Sequence, residues 1–475
     1  MNLWKINDLK SALKNDIITV LSSLKSEINE VVIDSRKKTN LGLFVAIKGE
    51  NNDGHDFLEQ VFENGAIAAL VEKIPAKFEN DPRLILVKNS IQALENLAIA
   101  ARNRFQGKII AVTGSVGKTS VKEMLKAVFL TQGTTFATSG NLNNHFGLPL
   151  SLANLPADYD YGIFEMGMNH LGEIEPLSKM AKPHVAIITT VTSAHIGNFK
   201  NEEEIALAKS EIFSGLLSGG FAIINNDNKH IEFLKTKAAQ GNNFHQITTF
   251  GSKETSNIRL YTIENIDINH SKVSLRINGA KEQISYVINS INETTICNSL
   301  IVVACLKLVG KNFANVFEDG LLALSKLETP KGRGNIIKTN KNNLNLTIID
   351  DSYNANLSSM IAGLKFLSNL KNFQPNSRII IAIGDMLEMG VVAKSEHQAI
   401  AHYILENKID GVFLVGEMMA ELIPLLPKEK ILGQFNKSSE LAENLLSSLQ
   451  DNDILFVKGS RGTRMDKIVD KLINN

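Results

Sequence analysis

The fold of this chain is decided by the stretch Ile109-Ile110-Ala111-Val112-Thr113-Gly114-Ser115-Val116-Gly117-Lys118-Thr119-Ser120. An apolar segment runs into a glycine-bounded loop, and a helix-compatible segment follows. In this order of strand, loop and helix, backbone N–H groups face a bound anion, and the lysine adds a mobile positive charge. The full Walker spacing has a glycine where this chain has Val112, so the motif takes the shorter Gly-x-x-Gly-Lys-Thr form. The stretch predicts a phosphate-binding loop from Gly114 to Ser120, in which the Thr119 hydroxyl can ligate Mg²⁺.

Length and composition narrow the class of protein. The 475 residues exceed what one core usually holds, which predicts about three domains. Lys+Arg and Asp+Glu balance at 50 each, so charge gives no reason to expect a nucleic-acid partner. We find neither a signal-peptide core near Met1 nor an apolar run of the roughly 18 to 20 residues that span a bilayer. We therefore expect a cytoplasmic enzyme that does not insert into membranes.

The two cysteines, Cys297 and Cys305, lie in one helix-compatible apolar segment. On a helix they would be about 12 Å apart along the axis, which is too far for a disulfide. Two buried free thiols are expected.

Residues 1–88 are predicted to form a small α/β domain. Two short strands are expected at 31–33 and 43–47, and a helix at 57–64. Polar clusters follow or flank the strands, namely Asp34-Ser35-Arg36, Lys48-Gly49-Glu50 and Asp53-Gly54-His55-Asp56. Each cluster alone is more typical of a turn or a solvated surface, but together they suit a diphosphate and a sugar.

Residues 89–325 are predicted to alternate strands and helices around a parallel sheet. A helix is expected at 91–105, strands at 108–112, 161–166, 185–190 and 221–225, a hairpin-like insert at 251–290, and a buried helix at 294–309. Glu165 ends the second strand among apolar residues, where an unpaired charge is costly, so we interpret it as a Mg²⁺ ligand rather than a surface acid. His195 follows the third strand, and its role stays open. Lys209, in the helical stretch 202–213, is interpreted from composition alone as a solvated lysine.

Residues 326–475 are predicted to form a third α/β unit with strands at 346–349, 378–383, 411–415 and 454–457. Each strand ends in polar or glycine residues. Because carboxyl ends of parallel strands meet at one edge, a second binding surface is expected there. Its acids, amides and two cations suit a zwitterionic ligand and the side of ATP that faces away from the phosphate loop.

Several motifs taken in chain order are more specific than any one of them. They are Asp34-Ser35-Arg36, Lys48-Gly49, Asp53-Gly54-His55, Thr113 to Ser120, Gly140-Asn141-Leu142-Asn143-Asn144, Glu165 to His170, Ala194-His195, Ala208-Lys209, Gly332-Arg333, Asp350 to Asn356, Gly384 to Gly390 and Lys458 to Arg461. Over essentially its whole length the chain resembles the Mur ligases of peptidoglycan synthesis. The stretches 350–356 and 384–390 discriminate within that family. They favour the branch that joins D-alanyl-D-alanine to UDP-N-acetylmuramoyl-tripeptide.

The resemblance implies an α/β protein with three domains. A small N-terminal α/β domain would hold the UDP-sugar, a central P-loop NTPase-like domain would hold ATP and Mg²⁺, and a C-terminal Rossmann-like domain would hold the dipeptide and part of ATP. The substrate carboxylate would attack the ATP γ-phosphate, and the dipeptide amine would attack the resulting acyl phosphate. The partners would be UDP-MurNAc-tripeptide and D-alanyl-D-alanine, and a monomer is expected.

The resemblance also assigns roles to residues, position by position. ATP would be bound by Gly114, Ser115, Val116, Gly117, Lys118, Thr119, Ser120, Asn298, Arg333 and Asp351. Metal ions would be held by Thr119, Glu165, His195 and a carbamylated Lys209, with Lys118, His195 and Lys209 catalytic. The substrates would contact Ser35, Arg36, Lys48, Asn141, Asn143, Asn144, Tyr353, Asn354, Asn356, Lys458, Ser460 and Arg461.

Alternative functions remain open on the sequence. One is another amide-forming ligase of the Mur or folylpolyglutamate type, which would use a different incoming amine. Another is a P-loop NTPase switch or motor, which would hydrolyse ATP without an acceptor and would not need the strand end at 350–356. A non-enzymatic nucleotide-binding module is disfavoured because Lys118, Thr119 and Glu165 are all present.

Overall fold

The computed structural model describes residues 3–18, 27–193, 196–240, 246–278, 283–311 and 313–473, without the side chains of 313–318. Within these ranges, three β-sheets contain four, nine and six strands, and helices pack on them. Most strand pairs are parallel. The predicted α/β class with parallel-sheet domains is therefore confirmed.

The first sheet has parallel strands in chain order, namely β1 (Glu30–Val32), β2 (Gly42–Val45), β3 (Ala66–Val71) and β4 (Leu84–Leu86). Its helices are α1 (Ile6–Leu13), α2 (Leu58–Glu63) and α3 (Ser90–Arg104). The near-continuous apolar strands are buried on both faces, as parallel sheets require. Leu94 and Leu97 of α3 join the core of this sheet, whereas Ala98 joins the core of the next. Helix α3 therefore links the first two units.

The central sheet has the order β13-β12-β11-β10-β9-β8-β5-β7-β6. Its strands are β5 (Lys108–Thr113), β6 (Thr135–Ala137), β7 (Tyr161–Glu165), β8 (Val185–Ile188), β9 (Phe221–Asn225), β10 (Gln246–Gly251), β11 (Ile258–Asn265), β12 (Ser271–Ile277) and β13 (Gln283–Ile288). Its helices are α4 (Lys118–Phe129), α5 (Gly147–Ala153), α6 (Ile174–Ala181), α7 (Glu202–Ser210), α8 (Ile231–Ala239), α9 (Glu293–Val309) and α10 (Phe313–Lys326). Parallel pairing of β5 with β7 and β8 brings the ends of these strands to one edge.

The third sheet has the order β14-β15-β19-β16-β17-β18, parallel except for the β14–β15 pair. Its strands are β14 (Asn335–Lys341), β15 (Leu344–Asp351), β16 (Ile379–Gly384), β17 (Gly411–Val415), β18 (Ile431–Phe435) and β19 (Ile454–Lys458). Its helices are α11 (Leu357–Lys371), α12 (Ala393–Glu406), α13 (Ser438–Asn444) and α14 (Asp466–Ile473). Strand β15 ends at Asp351 beside the end of β19 at Lys458, and this adjacency builds the third-domain part of the site.

The strands that the sequence predicted are all present, with ends shifted by one or two residues in most cases. The insert predicted as a hairpin at 251–290 contains the three antiparallel-paired strands β11 to β13. The helix predicted over 202–213 ends at Ser210 and continues as a 3₁₀ turn to Gly215. Of the two cysteines, Cys305 is buried as predicted, but Cys297 is only partly buried. In the described ranges, none of the helices has the length and apolar character needed to cross a bilayer.

We expect His184 to make folding stability depend on pH. Its Nδ1 accepts the Ile109 N–H at 3.0 Å, and burial lowers the pKa of His184 from 6.5 to about 4, with Lys108 and Arg102 acting in the same direction. The folded state therefore favours neutral His184. Stability from this group is fully present above pH 6.5 and is lost as the pH falls toward about 4.

Thermal unfolding followed by circular dichroism at about pH 7.5 and about pH 5 tests this expectation. His184→Gln keeps an acceptor for the Ile109 N–H but cannot titrate, so its melting temperature should fall less with acidification than that of the wild type. Equal falls in both proteins would contradict the assignment.

Candidate active site between the central and third domains

The loop after β5 has a backbone that requires glycine at two positions. Gly114 has φ +150°, and a Cβ there would lie 1.9 Å from Thr189 Oγ1. Gly117 has φ +90°, and a Cβ there would lie 2.5 Å from the Asn298 amide nitrogen. Helix α4 begins at Lys118, so the last three residues of the stretch Gly114 to Ser120 form its first turn. The order of strand, glycine-bounded loop and helix that the motif predicted is therefore present, and such an order suits an anion.

Hydrogen bonds to the strand end beyond β8 fix this loop. The Thr189 hydroxyl donates to Val116 O at 2.6 Å, and Ser115 N–H donates to Thr190 O at 2.9 Å. Thr192 N–H donates to Ser115 Oγ at 3.0 Å. The loop geometry is therefore set by the protein itself, which lowers the entropic cost of binding a phosphate chain.

Lys118 lies at the base of the loop, with its ammonium donating to Gly114 O at 2.7 Å. Burial lowers the pKa of Lys118; Arg333 acts in the same direction, and Glu165 opposes them. A cation that has lost its hydration in this way gains most from a polyanionic ligand.

A carboxylate at the end of β7 lies against the loop. Glu165 is 2% exposed, and its two oxygens accept separate hydrogen bonds. Thr119 Oγ1 donates to Oε2 at 2.8 Å, and Asn143 Nδ2 donates to Oε1 at 2.7 Å. A carboxylate and a hydroxyl in contact at a phosphate loop are oxygen ligands of the kind that Mg²⁺ prefers, so this pair fits the ion.

Lys209 contradicts the composition-based interpretation of a solvated lysine. Its side chain is buried, with 2% exposure, at the end of α7. Burial, with Lys118 acting in the same direction, holds the pKa of Lys209 well below 10.5. Among the described residues, no hydrogen bond or ion pair to its Nζ is found. The side chain is thus a buried amine that favours its neutral form.

The third domain contributes a paired acid and base where β15 and β19 end. Lys458, which is buried, donates to Asp351 Oδ2 at 2.6 Å and to Asn354 O at 3.0 Å. Burial raises the pKa of Asp351, although Lys458 and Arg333 oppose the shift. Because the Asp351 carboxylate is held by a cation, the pair can offer both charges to a ligand.

Two guanidinium groups flank Tyr353. Arg333 lies 4.1 Å and Arg461 lies 5.6 Å from the centre of the Tyr353 ring. The buried Asp350 carboxylate accepts the Gly332 N–H at 3.0 Å, which fixes the segment that carries Arg333. The aromatic ring orients both cations by cation–π attraction.

These parts meet at one cleft of about 450 Å³, within the usual range for a ligand site. Most of the predicted site residues line it: Ser115, Val116, Gly117, Lys118, Thr119, Ser120, Asn141, Asn143, Glu165, Asn298, Arg333, Asp351, Tyr353, Asn354, Asn356, Lys458, Ser460 and Arg461. Central and third domains therefore build the site jointly.

Some predicted residues do not line the cleft. Gly114, the first residue of the loop, is buried, and so is Lys209. Asn144 uses its side-chain oxygen to accept the N–H groups of Phe146 and Gly147 at the start of α5. Asn356 does line the cleft, although its amide oxygen is used to cap α11 by accepting the Ser359 N–H at 2.9 Å. His195 falls outside the described residues.

Three predicted substrate residues lie in the first domain, separate from the lining of this cleft. Arg36 is exposed and pairs with Asp34 at 2.7 Å. Ser35 O accepts the Asn64 side-chain N–H at 2.8 Å, and Lys48 is exposed. Of the two cations among these residues, Arg36 is thus held by a neighbouring acid, whereas Lys48 extends into solvent.

Several residues of the cleft were not predicted from the sequence, including Asn292, Ser359 and Gly363. A Cβ on Gly363 would lie 2.5 Å from the Phe456 ring, so this glycine lets α11 approach β19 closely. A single glycine inside a helical pattern could have indicated such a contact. Gly363 also lines an adjoining cavity of about 430 Å³, together with Asn289, His270 and Glu328.

Direct contacts hold the central and third domains together beside the cleft. Ser358 Oγ donates to Thr192 Oγ1 at 3.2 Å, and Gly197 N–H donates to Glu388 O at 3.0 Å. At the second contact, a Cβ on Gly390 would lie 2.8 Å from Gly197 Cα. The cleft is therefore framed by a close backbone approach of two domains.

Fold and site together define a three-domain α/β protein whose phosphate-binding loop faces a second domain across a charged cleft. Three family models match the chain: "Mur ligase family, catalytic domain" over residues 27–109, "Mur ligase middle domain" over 112–306, and "Mur ligase, glutamate ligase domain" over 332–461. A relative from Rickettsia prowazekii, named UDP-N-acetylmuramoyl-tripeptide–D-alanyl-D-alanine ligase, is 34% identical over 98% of this chain and 99% of its own. The chain belongs to the Mur ligase family.

Solved structures agree with this membership. A MurF crystal structure from Acinetobacter baumannii is 30% identical and has a TM-score of 0.84, covering 99% of each chain. The MurF ligase from Thermotoga maritima, solved in complex with ADP, is 25% identical with a TM-score of 0.77, covering 94% of this chain and 97% of its own. The predicted family and three-domain fold are thereby confirmed.

Proposed function

We propose that this chain is an ATP-dependent ligase that joins D-alanyl-D-alanine to the peptide carboxylate of UDP-N-acetylmuramoyl-tripeptide, giving the UDP-linked pentapeptide. The observation that carries the proposal is the cleft in which the phosphate loop of the central domain faces the Asp351–Lys458 pair of the third domain. The printed name of the Rickettsia relative, which aligns with nearly the whole chain, supports the substrate pair.

ATP would bind with its phosphates on the loop from Gly114 to Ser120. The N-terminus of α4 and the Lys118 ammonium would neutralise the β- and γ-phosphates, while Arg333 and Asp351 would reach the nucleotide from the third domain. Asn298 would contact the adenine. The ADP complex of the Thermotoga relative supports a nucleotide in the corresponding domain arrangement. Such charge neutralisation is what phosphoryl transfer requires most.

Mg²⁺ would be held by the Thr119 hydroxyl and the Glu165 carboxylate, which already touch. When bound, the ion would neutralise charge on the phosphate oxygens. Asn143 would orient the carboxylate through its hydrogen bond to Oε1.

We further propose that Lys209 is carbamylated, because a neutral buried amine reacts with CO₂ and would then present a carboxylate toward the phosphate loop. His195 would assist at a second ion.

The reaction would proceed in two steps inside the cleft. An oxygen of the acceptor carboxylate attacks the γ-phosphorus, the bond to the bridging oxygen breaks, and ADP leaves. The amine of the dipeptide then attacks the acyl carbon, loses a proton, and expels inorganic phosphate. Lys118 and Arg333 would hold the phosphate oxygens in both steps, and the tightly framed cleft would exclude water from the acyl phosphate.

Recognition of the two peptides would be divided between domains. Ser35, Arg36 and Lys48 would contact the UDP-sugar, and Asn141, Asn143 and Asn144 the adjoining acceptor. Tyr353, Asn354, Asn356, Lys458, Ser460 and Arg461 would bind the dipeptide, whose carboxylate suits the two cations. Asn144 and Asn356 would do so with groups other than the side-chain oxygens that accept backbone N–H groups at the starts of α5 and α11. We propose that the three domains comprise residues 1–88, 89–325 and 326–475, as predicted from the sequence.

We propose that the enzyme acts in the cytoplasm, where ATP is the ordinary phosphoryl donor, and as a monomer. The described groups that the proposal uses at the cleft come from a single chain, so a second copy is not required for chemistry. A sedimentation measurement giving a dimer at working concentration would contradict the monomer.

Phosphate release tests the proposed function. With ATP, Mg²⁺, UDP-MurNAc-tripeptide and D-alanyl-D-alanine, we expect release to fall to background when either peptide substrate is omitted, because phosphate leaves only when the amide forms. Mass spectrometry should find one pentapeptide product per phosphate. Diaminopimelate, lysine and glutamate replace the dipeptide in control reactions; a faster rate with one of them favours a different ligase of this family. Phosphate release in the absence of both peptide substrates favours an NTPase.

A further inference from the structure

A buried lysine on α4, one turn after Lys118, takes no part in either step of the proposed reaction. Lys122 follows Lys118 by four positions on α4, and its side chain is fully buried, with 0% exposure. Its ammonium contacts Thr138 O at 2.7 Å, Glu123 Oε1 at 2.8 Å and Gly140 O at 3.5 Å. The three acceptors match the three N–H donors of the group. Burying a cation has a large desolvation cost even when all its hydrogen bonds are made, and an apolar side chain would fill the same space without that cost.

The two carbonyl acceptors belong to the segment 138–144, which connects β6 to α5. Gly140, at the turn, has φ +56°. Thr138 pairs with β7 through its N–H to Ile163 O at 3.0 Å, and Asn143 O accepts the Gly167 N–H at 2.8 Å. Asn143 then donates to Glu165 at 2.7 Å. Lys122 thus holds the start of a segment that binds the site carboxylate near its other end, through Asn143.

We propose that Lys122 is a positioning residue for the ligase reaction, which fixes the segment 138–144 so that Asn143 holds Glu165 against Thr119. The proposal rests on the proposed function for its catalytic consequence. Lys122 itself does not line the cleft, so its effect is transmitted through the backbone of the segment. Without the hydrogen bonds from Lys122, Asn143 is less firmly held, and the Glu165 carboxylate is less well oriented for a divalent cation.

Lys122→Met removes the ammonium and keeps most of the length of the side chain. Lys126→Met is the matched control because Lys126 is an exposed lysine on the same helix. Hydrogen exchange followed by mass spectrometry should find the amides of 138–144 exchanging about tenfold faster in Lys122→Met alone. Mn²⁺ titrated in the presence of AMP-PNP and followed by electron paramagnetic resonance should bind about tenfold more weakly. In the ligation assay kcat should fall, while the KM for D-alanyl-D-alanine, bound by the third domain, should stay within about twofold of wild type.

Unchanged Mn²⁺ affinity in a folded Lys122→Met protein overturns the proposal, as does a uniform rise of every KM. Asn143→Ala covers the case in which Lys122→Met does not fold, because Asn143 is only partly buried. It must reproduce the loss of Mn²⁺ affinity, and the double variant must lose little more than either single variant. A wild-type affinity in Asn143→Ala also overturns the proposal. Exchange and Mn²⁺ binding use neither peptide substrate, so a failure of the proposed function would leave these two results interpretable.

Discussion

Lys118→Ala is expected to lower kcat for ligation by about 10³-fold or more, since one charge clamp on a transferring phosphoryl group carries an effect of that size. The loss should fall on chemistry because the Lys118 ammonium, desolvated and turned back to Gly114 O, gains its strongest partner only when phosphate charge is present. Initial rates of phosphate release at saturating ATP and both peptide substrates measure it.

The fold should survive this substitution. Burial lowers the pKa of Lys118, so the ammonium is held at a cost in the folded state, and alanine relieves that cost. The melting temperature should therefore stay the same or rise. Lys126→Ala, on the exposed side of the same helix, should leave kcat within about twofold of wild type. A Lys118→Ala protein that ligates at more than a tenth of the wild-type rate would contradict the assignment of the loop.

The phosphate loop could be predicted because its determinants are local. Strand β5, two obligatory glycines and the start of α4 occupy consecutive positions, and local backbone requirements select the residue types there. The buried strands β5, β7, β8 and β9 were predicted for the same reason, since both faces are covered and each reads as an apolar run. The carboxylate at the end of β7 followed directly from its apolar neighbours.

Other features depend on contacts that no short segment encodes. Strands β14 and β18 lie at edges of the third sheet and carry mixed polar residues, so their patterns were missed. The role of Gly363 depends on its close contact with the Phe456 ring, which lies ninety-three positions later in the chain. Asn144 and Asn356 were predicted to be substrate ligands from the family resemblance. The side chain of Asn144 also accepts backbone N–H groups at the start of α5, and that of Asn356 caps α11; amide residues in loops fit both uses. Lys209 resembles any surface lysine in sequence because its burial is a tertiary property.

Lys209→Ala is expected to lower kcat by about 10²-fold or more, and added formate or acetate should restore part of the rate, because a free carboxylate can occupy the space of the lost carbamate. The neutral amine that carbamylation needs is favoured by burial and by Lys118, which together hold the pKa of Lys209 well below its ordinary value. In forming the carbamate, the nitrogen of the neutral amine bonds the carbon of CO₂ and releases one proton, which replaces a neutral group by an anion beside the phosphate loop.

Lys200→Ala provides the matched control, since Lys200 lies just before the same helix and its side chain is 88% exposed. Its kcat should stay within about twofold of wild type and should not respond to carboxylates. Carbon-13 NMR of the wild-type enzyme supplied with labelled bicarbonate should give a carbamate signal that Lys209→Ala lacks. Circular dichroism should show that Lys209→Ala is folded at the assay temperature, so that a loss of rate reports on the missing side chain and not on unfolding. A Lys209→Ala enzyme that works at the wild-type rate would mean that this amine is only a buried structural residue, whereas loss of activity without the carbamate signal or carboxylate rescue would mean that the unmodified lysine acts.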